Sequence, residues 1–182
     1  MKAVILAAGQ GTRLRPLTND RPKCMVEFHG KPIIDYVVET MRYLKIQNIN
    51  VVTGYQHHVL EKHLLKYENI SLYHNENYSS TNMLYSLWRA KPEFNDDVII
   101  SYSDIIYSKD ILQKLINSPF DISIIIDKNW LELWSLRMDD PLQDAESLIL
   151  DENENILEIG KKVHSYDKIQ GQYIGLIKFS EK

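Results

Sequence analysis

The 182-residue chain has one cysteine, Cys24. An internal disulfide and a cysteine-based zinc site are therefore excluded, and the scarcity suits a reducing cytoplasm. No apolar run approaches the ~18–20 residues that span a bilayer. The apolar start, MKAVILAAG, is too short for a secretory signal and runs straight into a charged, Gly-rich turn. Positive charge is not in excess: 21 Lys and Arg face 25 Asp and Glu, a net charge of -4. The whole molecule thus lacks the electrostatic footprint of a nucleic-acid binder. There is no internal repeat, no low-complexity tract and no linker rich in Pro, Gly or Ser. With 44% hydrophobic and 25% charged residues, the chain has the composition and length of one folded domain.

What charge there is lies unevenly. Residues 13–31 carry five basic side chains, Arg13, Arg15, Arg21, Lys23 and Lys31, against Asp20 and Glu27. Residues 139–158 carry eight carboxylates and no Lys or Arg. A basic loop in an acidic chain points to a small anionic ligand held at one place. Scattered surface charge is the plain alternative, and the motif inside the loop weighs against it.

Strand and helix patterns alternate. AVILAA (3–8) is a short apolar run followed by Gly9 and Gly11, as for a buried strand entering a tight turn. Residues 32–46 start with Pro32 and set Ile33, Ile34, Val37, Val38, Met41 and Leu44 on one helical face. Strands follow at 48–54, 70–74, 97–104 and 121–127, with helices at 57–67, 80–91 and after Ser108. Ser79, Ser80 and Thr81 are cap candidates for the second of these helices, and Ser108 for the third. This alternation predicts an α/β fold with a doubly wound, mostly parallel sheet. After about residue 130, LILDENENILEIG predicts two strands around a polar turn, and QYIGLIKF another strand. An inserted β-hairpin within a single domain, 1–182, is the simplest account.

The chemistry concentrates in LAAGQGTRLRPLTNDRPKCM (6–25). Ligands of open α/β sheets bind at the carboxyl ends of strands, where this segment leaves strand one. Gly9 and Gly11 permit close approach, so that successive N–H groups can point at phosphate oxygens. Arg13 and Lys23 add full positive charge, and Pro16 and Pro22 stiffen the excursion. It is not a dinucleotide fingerprint, because Leu14 stands where the third glycine belongs and the next strand ends TGY without an acidic residue. It is not a P-loop either, since G-x-x-x-x-G-K-[ST] is absent.

The full string with its Pro-Lys resembles the signature of nucleotidyltransferases that activate sugar phosphates and related phosphomonoesters. The likeness extends to TGY (53–55) and to Asp104, which ends SYSD where that family keeps a magnesium-binding aspartate. NYSSTNMLYSL (77–87) is similar to the segment of bacterial choline-phosphate and phosphonate-type cytidylyltransferases. The resemblance implies a Rossmann-like nucleotidyltransferase fold, CTP as a substrate, and Mg²⁺ on Asp104. It places Ala7, Ala8, Gly9 and Gly11 along the nucleotide, with Arg13 and Lys23 on its phosphates as catalytic groups. Thr81, Asn82 and Ser86 would line the base side. The Asn82 amide can both donate and accept, which suits a cytosine edge.

Elementary chemistry arrives at the same reaction. A phosphomonoester carries a charge of about -1.5 to -2 at neutral pH, so it needs no general base to attack a nucleoside triphosphate. It needs relief of repulsion and in-line alignment, so the lack of a Ser-His or Cys-His constellation is expected.

The acceptor side is less legible. Residues 127–147 combine Trp130, Trp134, Arg137, Asp144 and Glu146. Arg137 can grip a carboxylate or phosphate bidentately, and the tryptophans with Tyr102 or Tyr107 can cage a quaternary ammonium. Alternatively, Trp130 and Trp134 are one packed helix face and Arg137 is structural. W-x-x-x-W-x-x-R followed by PLQDAE departs from the choline-phosphate pattern. It looks closer to members handling phosphonates or phosphorylated amino acids, including a branch that uses phosphorylated glutamine for capsule modification. The family lysine near the acceptor phosphate falls at Lys161 or Lys162. Tyr102, Trp134, Arg137, Glu146 and Lys161 are therefore the acceptor candidates.

His57, His58, His63 and His74 show no His-x₃-His pair backed by a carboxylate, which argues against a histidine metal site. Cys24 beside Lys23 is either a thiol of depressed pKa or a space-filler. The expected activity is a Mg²⁺-dependent, cytoplasmic cytidylyltransferase that transfers CMP from CTP to a small phosphorylated acceptor, with phosphorylated glutamine and phosphocholine ranked close together, and with no nucleic acid or membrane partner. Its rivals are a sugar-1-phosphate uridylyl- or thymidylyltransferase and an inactive nucleotide-binding regulatory module. The family fold is expected to continue past QYIGLIKF to a second metal carboxylate, so a truncated domain is also an expectation.

Overall fold

The apolar run after Met1 forms strand β1 (Lys2–Ala7), with Ala3, Val4 and Ile5 fully buried. A computed structural model describes residues 1–181 of the chain. Short β2 (Glu27–Phe28) and β3 (Lys31–Pro32) form a two-stranded ribbon. Then come α1 (Ile33–Tyr43), β4 (Ile49–Thr53), α2 (His57–Leu64), β5 (Ile70–His74) and α3 (Met83–Arg89). They are followed by β6 (Val98–Tyr102), α4 (Lys109–Ile116), β7 (Ile122–Asp127) and α5 (Trp130–Ser135). Strands β8 (Glu146–Leu150), β9 (Ile156–Lys162) and β10 (Gln172–Phe179) complete the fold.

The main sheet runs β5-β4-β1-β6-β10-β7. Strands β5, β4, β1 and β6 are parallel, and β10 lies antiparallel to β6 with Leu176 opposite Ser101. The expected α/β class with a mostly parallel sheet holds. Two compact units emerge: Met1–Ile124 with the chain from Gly175 on, and Ile125–Ile174.

In the first unit, strand alternation sends Val4 to one face and Ala3 and Ile5 to the other. Val4, Val52, Val98 and Ile100 pack with Leu87 and Ala90 from α3 and its end. Helix α1 buries Ile34, Val37, Val38 and Met41, four of the six apolar residues predicted for its face. Helix α4 buries Leu112 and Leu115. Each such side chain contributes roughly 1.5–3 kcal/mol when fully removed from water. Ser108 caps α4 as predicted, accepting from Ile111 N at 3.3 Å.

In the second unit, β8 and β9 form the predicted antiparallel hairpin. The Asp151 carboxylate closes its turn by accepting from the Asn153 and Asn155 backbone and from Asn155 Nδ2, each at 2.8 Å. Trp130, Ala145, Val163 and Ile169 form a separate small core, with Trp134 and Leu142 packed against it. No helix among the described residues is long and apolar enough to cross a membrane.

Candidate active site

Strand β1 lies between β4, which follows it on one side, and β6, which takes the other. That reversal is a topological switch point, where open α/β sheets bind ligands beyond their strand ends. A cavity of about 280 Å³ occurs there, walled by Ala7, Ala8 and Gly9 after β1 and by Tyr102, Ser103 and Asp104 after β6. Gly11, Lys23 and Cys24 from the basic loop and Thr81, Asn82, Met83 and Ser86 around the start of α3 complete it with Tyr78. Ten of the site residues proposed from sequence therefore share one cavity.

The loop is held by its own geometry. Gly11 sits at φ 62°, and a Cβ there would meet Lys23 Cβ at 2.8 Å. The buried Thr18 hydroxyl donates to Gly11 O at 2.9 Å. Tyr55 ties the loop to the sheet, its hydroxyl donating to Thr18 O at 3.0 Å and Asn19 O at 2.8 Å. The Tyr55 N–H donates to Ala8 O at 3.0 Å. Gly54 permits this approach, since a Cβ there would stand 2.7 Å from Ala8 O and 2.8 Å from Tyr78 Cβ. Lys23 is thereby aimed into the cavity, where its ammonium pairs with the Asp104 carboxylate. Arg13 lines an adjoining cavity that shares Gly11 and Lys23 with the first.

At the start of α3, the structure corrects the expected cap. Asn82, rather than Ser79, Ser80 or Thr81, is the N-cap, accepting from Tyr85 N at 3.0 Å. Its Oδ1 is thus engaged, and its amide N–H₂ is the part left to face a ligand. Thr81 and Ser86 are positioned by Asn75, a residue that pattern reading did not single out. Asn75 is fully buried and donates to Thr81 Oγ1 at 3.0 Å and Ser86 Oγ at 2.9 Å, while accepting from Asn77 N at 3.0 Å. Its signal in sequence was only an Asn just past the end of a strand. Tyr78 and Met83 were likewise missed.

Cys24 proves to be a space-filler. Burial pushes its thiol up to about 12, against a hydrogen bond with Ser103. Asp104 is the carboxylate presented by this cavity. Mg²⁺ is commonly held by one or two carboxylates with substrate phosphates completing its shell, so the donor set fits such an ion.

Trp130, Trp134, Arg137, Glu146 and Lys161 belong to the second unit. Trp130 is buried and stacks edge-on with Trp134 at 5.3 Å, as the packed-face alternative expects. The Arg137 guanidinium lies 5.0 Å over the Trp134 ring. Glu146 begins β8 opposite Lys162, and Lys161 pairs with Glu158. Tyr107 is buried in the first unit, 3.4 Å from the Ser101 hydroxyl.

Comparison with known proteins places this geometry. A Nucleotidyl transferase family model matches residues 2–128. A CTP:phosphoglutamine cytidylyltransferase of Campylobacter jejuni is 48% identical over 186 residues, covering 99% of this chain and 73% of that protein. A choline-phosphate cytidylyltransferase of Streptococcus pneumoniae is 34% identical over 120 residues, or 66% of this chain and 52% of that one. The solved structure of the inositol-1-phosphate CTP transferase from T. maritima superposes with a TM-score of 0.75 at 25% identity, covering 98% of this chain and 70% of the other. On the strength of the matched model and of the Campylobacter relative, the chain belongs to the nucleotidyl transferase family.

Proposed function

We propose that the chain transfers CMP from CTP to a small phosphorylated acceptor of the phosphoglutamine class, releasing pyrophosphate. The observation that carries this reading is the 48% identity, over 99% of the chain, to a protein named for that reaction. The charge and shape of the switch-point cavity support it.

In the proposed reaction an oxygen of the acceptor's phosphoryl group attacks the α-phosphorus of CTP. The bond from that phosphorus to the bridging oxygen of the β-phosphate breaks, and pyrophosphate leaves with the electron pair. The nucleophile is already anionic, so the protein's task is to bring two polyanions together and align them. Lys23 and Arg13 offset the charge of the triphosphate and of the departing pyrophosphate. Ala7, Ala8, Gly9 and Gly11 form the floor along the nucleotide, and Thr81, Ser86 and the Asn82 amide face the base. Asp104 would hold Mg²⁺, which when bound neutralises phosphate charge and polarises a phosphoryl oxygen. Tyr102 is the acceptor candidate in this cavity. In the second unit the candidates are Arg137, positioned by Trp134, with Glu146 and Lys161. The product would be a cytidylylated precursor made in the cytoplasm for capsule or cell-surface polysaccharide modification.

The test is pyrophosphate release from the four nucleoside triphosphates, each paired with phosphorylated glutamine, phosphocholine, 2-aminoethylphosphonate or glucose-1-phosphate. Release with CTP and phosphorylated glutamine is expected. Release with UTP or dTTP and glucose-1-phosphate, and none with CTP, would overturn the proposal in favour of a sugar-nucleotide enzyme. CTP binding without turnover on any acceptor would overturn it in favour of a regulatory module.

A further inference from the structure

Apart from the residues of the nucleotide cavity, the fold joins three donors that lie apart in sequence. His57 and Glu61 stand one turn apart on α2, and His74 ends the edge strand β5. The parallel register of β4 and β5 places His74 directly beside Thr53. As a result, ligand atoms of His57, Glu61 and His74 all come within 4.8 Å of one another. The two imidazole rings are 4.2 Å apart between centroids.

We propose that His57, Glu61 and His74 form a binding site for a divalent transition-metal ion of the zinc class. Two imidazoles and one carboxylate are the donors that borderline ions such as Zn²⁺ select, with a fourth position left to water. Metal–ligand bonds of about 2.0–2.2 Å put tetrahedral neighbours roughly 3.4 Å apart. His57 Nδ1 and Glu61 Oε2 already stand at 3.2 Å. The remaining donors need to close by roughly 1.4 Å at most, within reach of side-chain rotation.

Three further features fit a ligand set. His57 Nδ1 is buried and makes no hydrogen bond among the described residues, although a carboxylate oxygen stands next to it. A ring nitrogen and a carboxylate oxygen this close must share either a proton or a cation between them, and a divalent ion is one way to satisfy both. The Thr53 hydroxyl donates to Glu61 Oε1 at 2.8 Å, so towards His74 Nδ1, 3.3 Å away, it acts as acceptor. That assignment puts the His74 proton on Nδ1 and leaves the Nε2 lone pair for a metal, the outer-shell arrangement typical of histidine ligands. The side chains of His57 and Glu61 remain partly open, with 44% and 29% exposure, so an ion can enter from solvent.

The experiment is equilibrium dialysis of the purified chain against Zn²⁺ with excess Mg²⁺ present, followed by metal analysis and a competition titration for affinity. One zinc per chain is expected, with thermal unfolding shifted upward by the ion. His74→Ala and Glu61→Gln should each weaken zinc binding at least tenfold and abolish that thermal shift, while keeping the wild-type circular dichroism spectrum. Asp104→Asn should leave the zinc stoichiometry unchanged, which separates this site from the nucleotide cavity. Failure of the wild type to retain zinc would overturn the proposal, and so would folded His74→Ala and Glu61→Gln proteins that bind it as tightly. Because the readout is metal content and not turnover, the outcome is independent of the proposed reaction.

Discussion

Replacing Asn75 by alanine tests whether the α3 side of the proposed nucleotide cavity is held from behind. Asn75 lies among the fully buried polar residues and does not line the cavity. The substitution removes two donated hydrogen bonds, to Thr81 Oγ1 and Ser86 Oγ, and one accepted from Asn77 N. Each intramolecular bond contributes about 0.5–1.5 kcal/mol net, and each partner left unsatisfied in the interior costs about 1–3 kcal/mol. Thr81 keeps its own donation to Asn77 O at 2.7 Å, and Ser86 can rotate its hydroxyl, so a loss of roughly 2–4 kcal/mol is expected. For a chain of this size that corresponds to a fall of roughly 5–12 °C in Tm. Urea denaturation measures the stability, and calorimetric titration with CTP measures the site. Affinity should drop at least about tenfold, or 1.4 kcal/mol, because Thr81 and Ser86 lose the group that orients them. A stability loss below about 1 kcal/mol would refute the bonding pattern. A full loss of stability with unchanged CTP affinity would refute the claim that Asn75 positions the cavity wall.

Asp104→Asn removes the carboxylate that pairs with Lys23 and is proposed to hold Mg²⁺. Turnover should fall by about 10²–10³ with an unchanged circular dichroism spectrum, and near-wild-type pyrophosphate release would show that Asp104 is not the ligand. The Cys24 thiol, buried and pushed up to about 12, should react with a disulfide reagent at neutral pH only as fast as the chain unfolds. Rapid native labelling at a rate that does not track unfolding would contradict its burial. At Asp35, burial is outweighed by Lys66 and His63, which donate to its carboxylate at 2.8 and 2.7 Å and hold it below the ordinary value. Its stabilising effect is therefore complete above the unfolded carboxyl pKa near 3.9 and is lost as pH falls from there through the lower folded value. Wild type should exceed Asp35→Asn in stability at pH 7, and the gap should narrow below about pH 4. A gap that stays constant on acidification would refute the linkage.

Much of the site was legible because its chemistry sits in continuous segments. The loop from Ala7 to Lys23 carries its own instructions: glycines where the backbone turns, prolines that stiffen it, and cations of one sign. Asp104 was marked by the family resemblance, at the polar end of an apolar run. Where neighbouring candidates competed, local pattern was a weaker guide. Three hydroxyl residues precede α3, yet Asn82 caps it, because the helix begins at Met83 and not at residue 80 as its hydroxyl-rich lead suggests. Trp130 and Trp134 at i,i+4 spacing allowed either a packed face or a cage wall, and only their burial against Ala145, Val163 and Ile169 distinguishes Trp130 as core.

By itself, the sequence determined what depends on short range: the order of the longer strands and helices, the Ser108 cap, the acidic hairpin, and the glycine-rich basic loop after β1. These follow from hydrophobic period, capping chemistry and backbone freedom, each set within a few residues. Tertiary structure alone decided what depends on strand register and helix packing. It buried Asn75 behind Thr81 and Ser86, set Gly54 and Tyr55 against Ala8, and brought His74 to His57 and Glu61. No spacing rule along the chain connects those residues, because the distance between them is fixed by hydrogen-bonded neighbours in the sheet rather than by the number of residues in between.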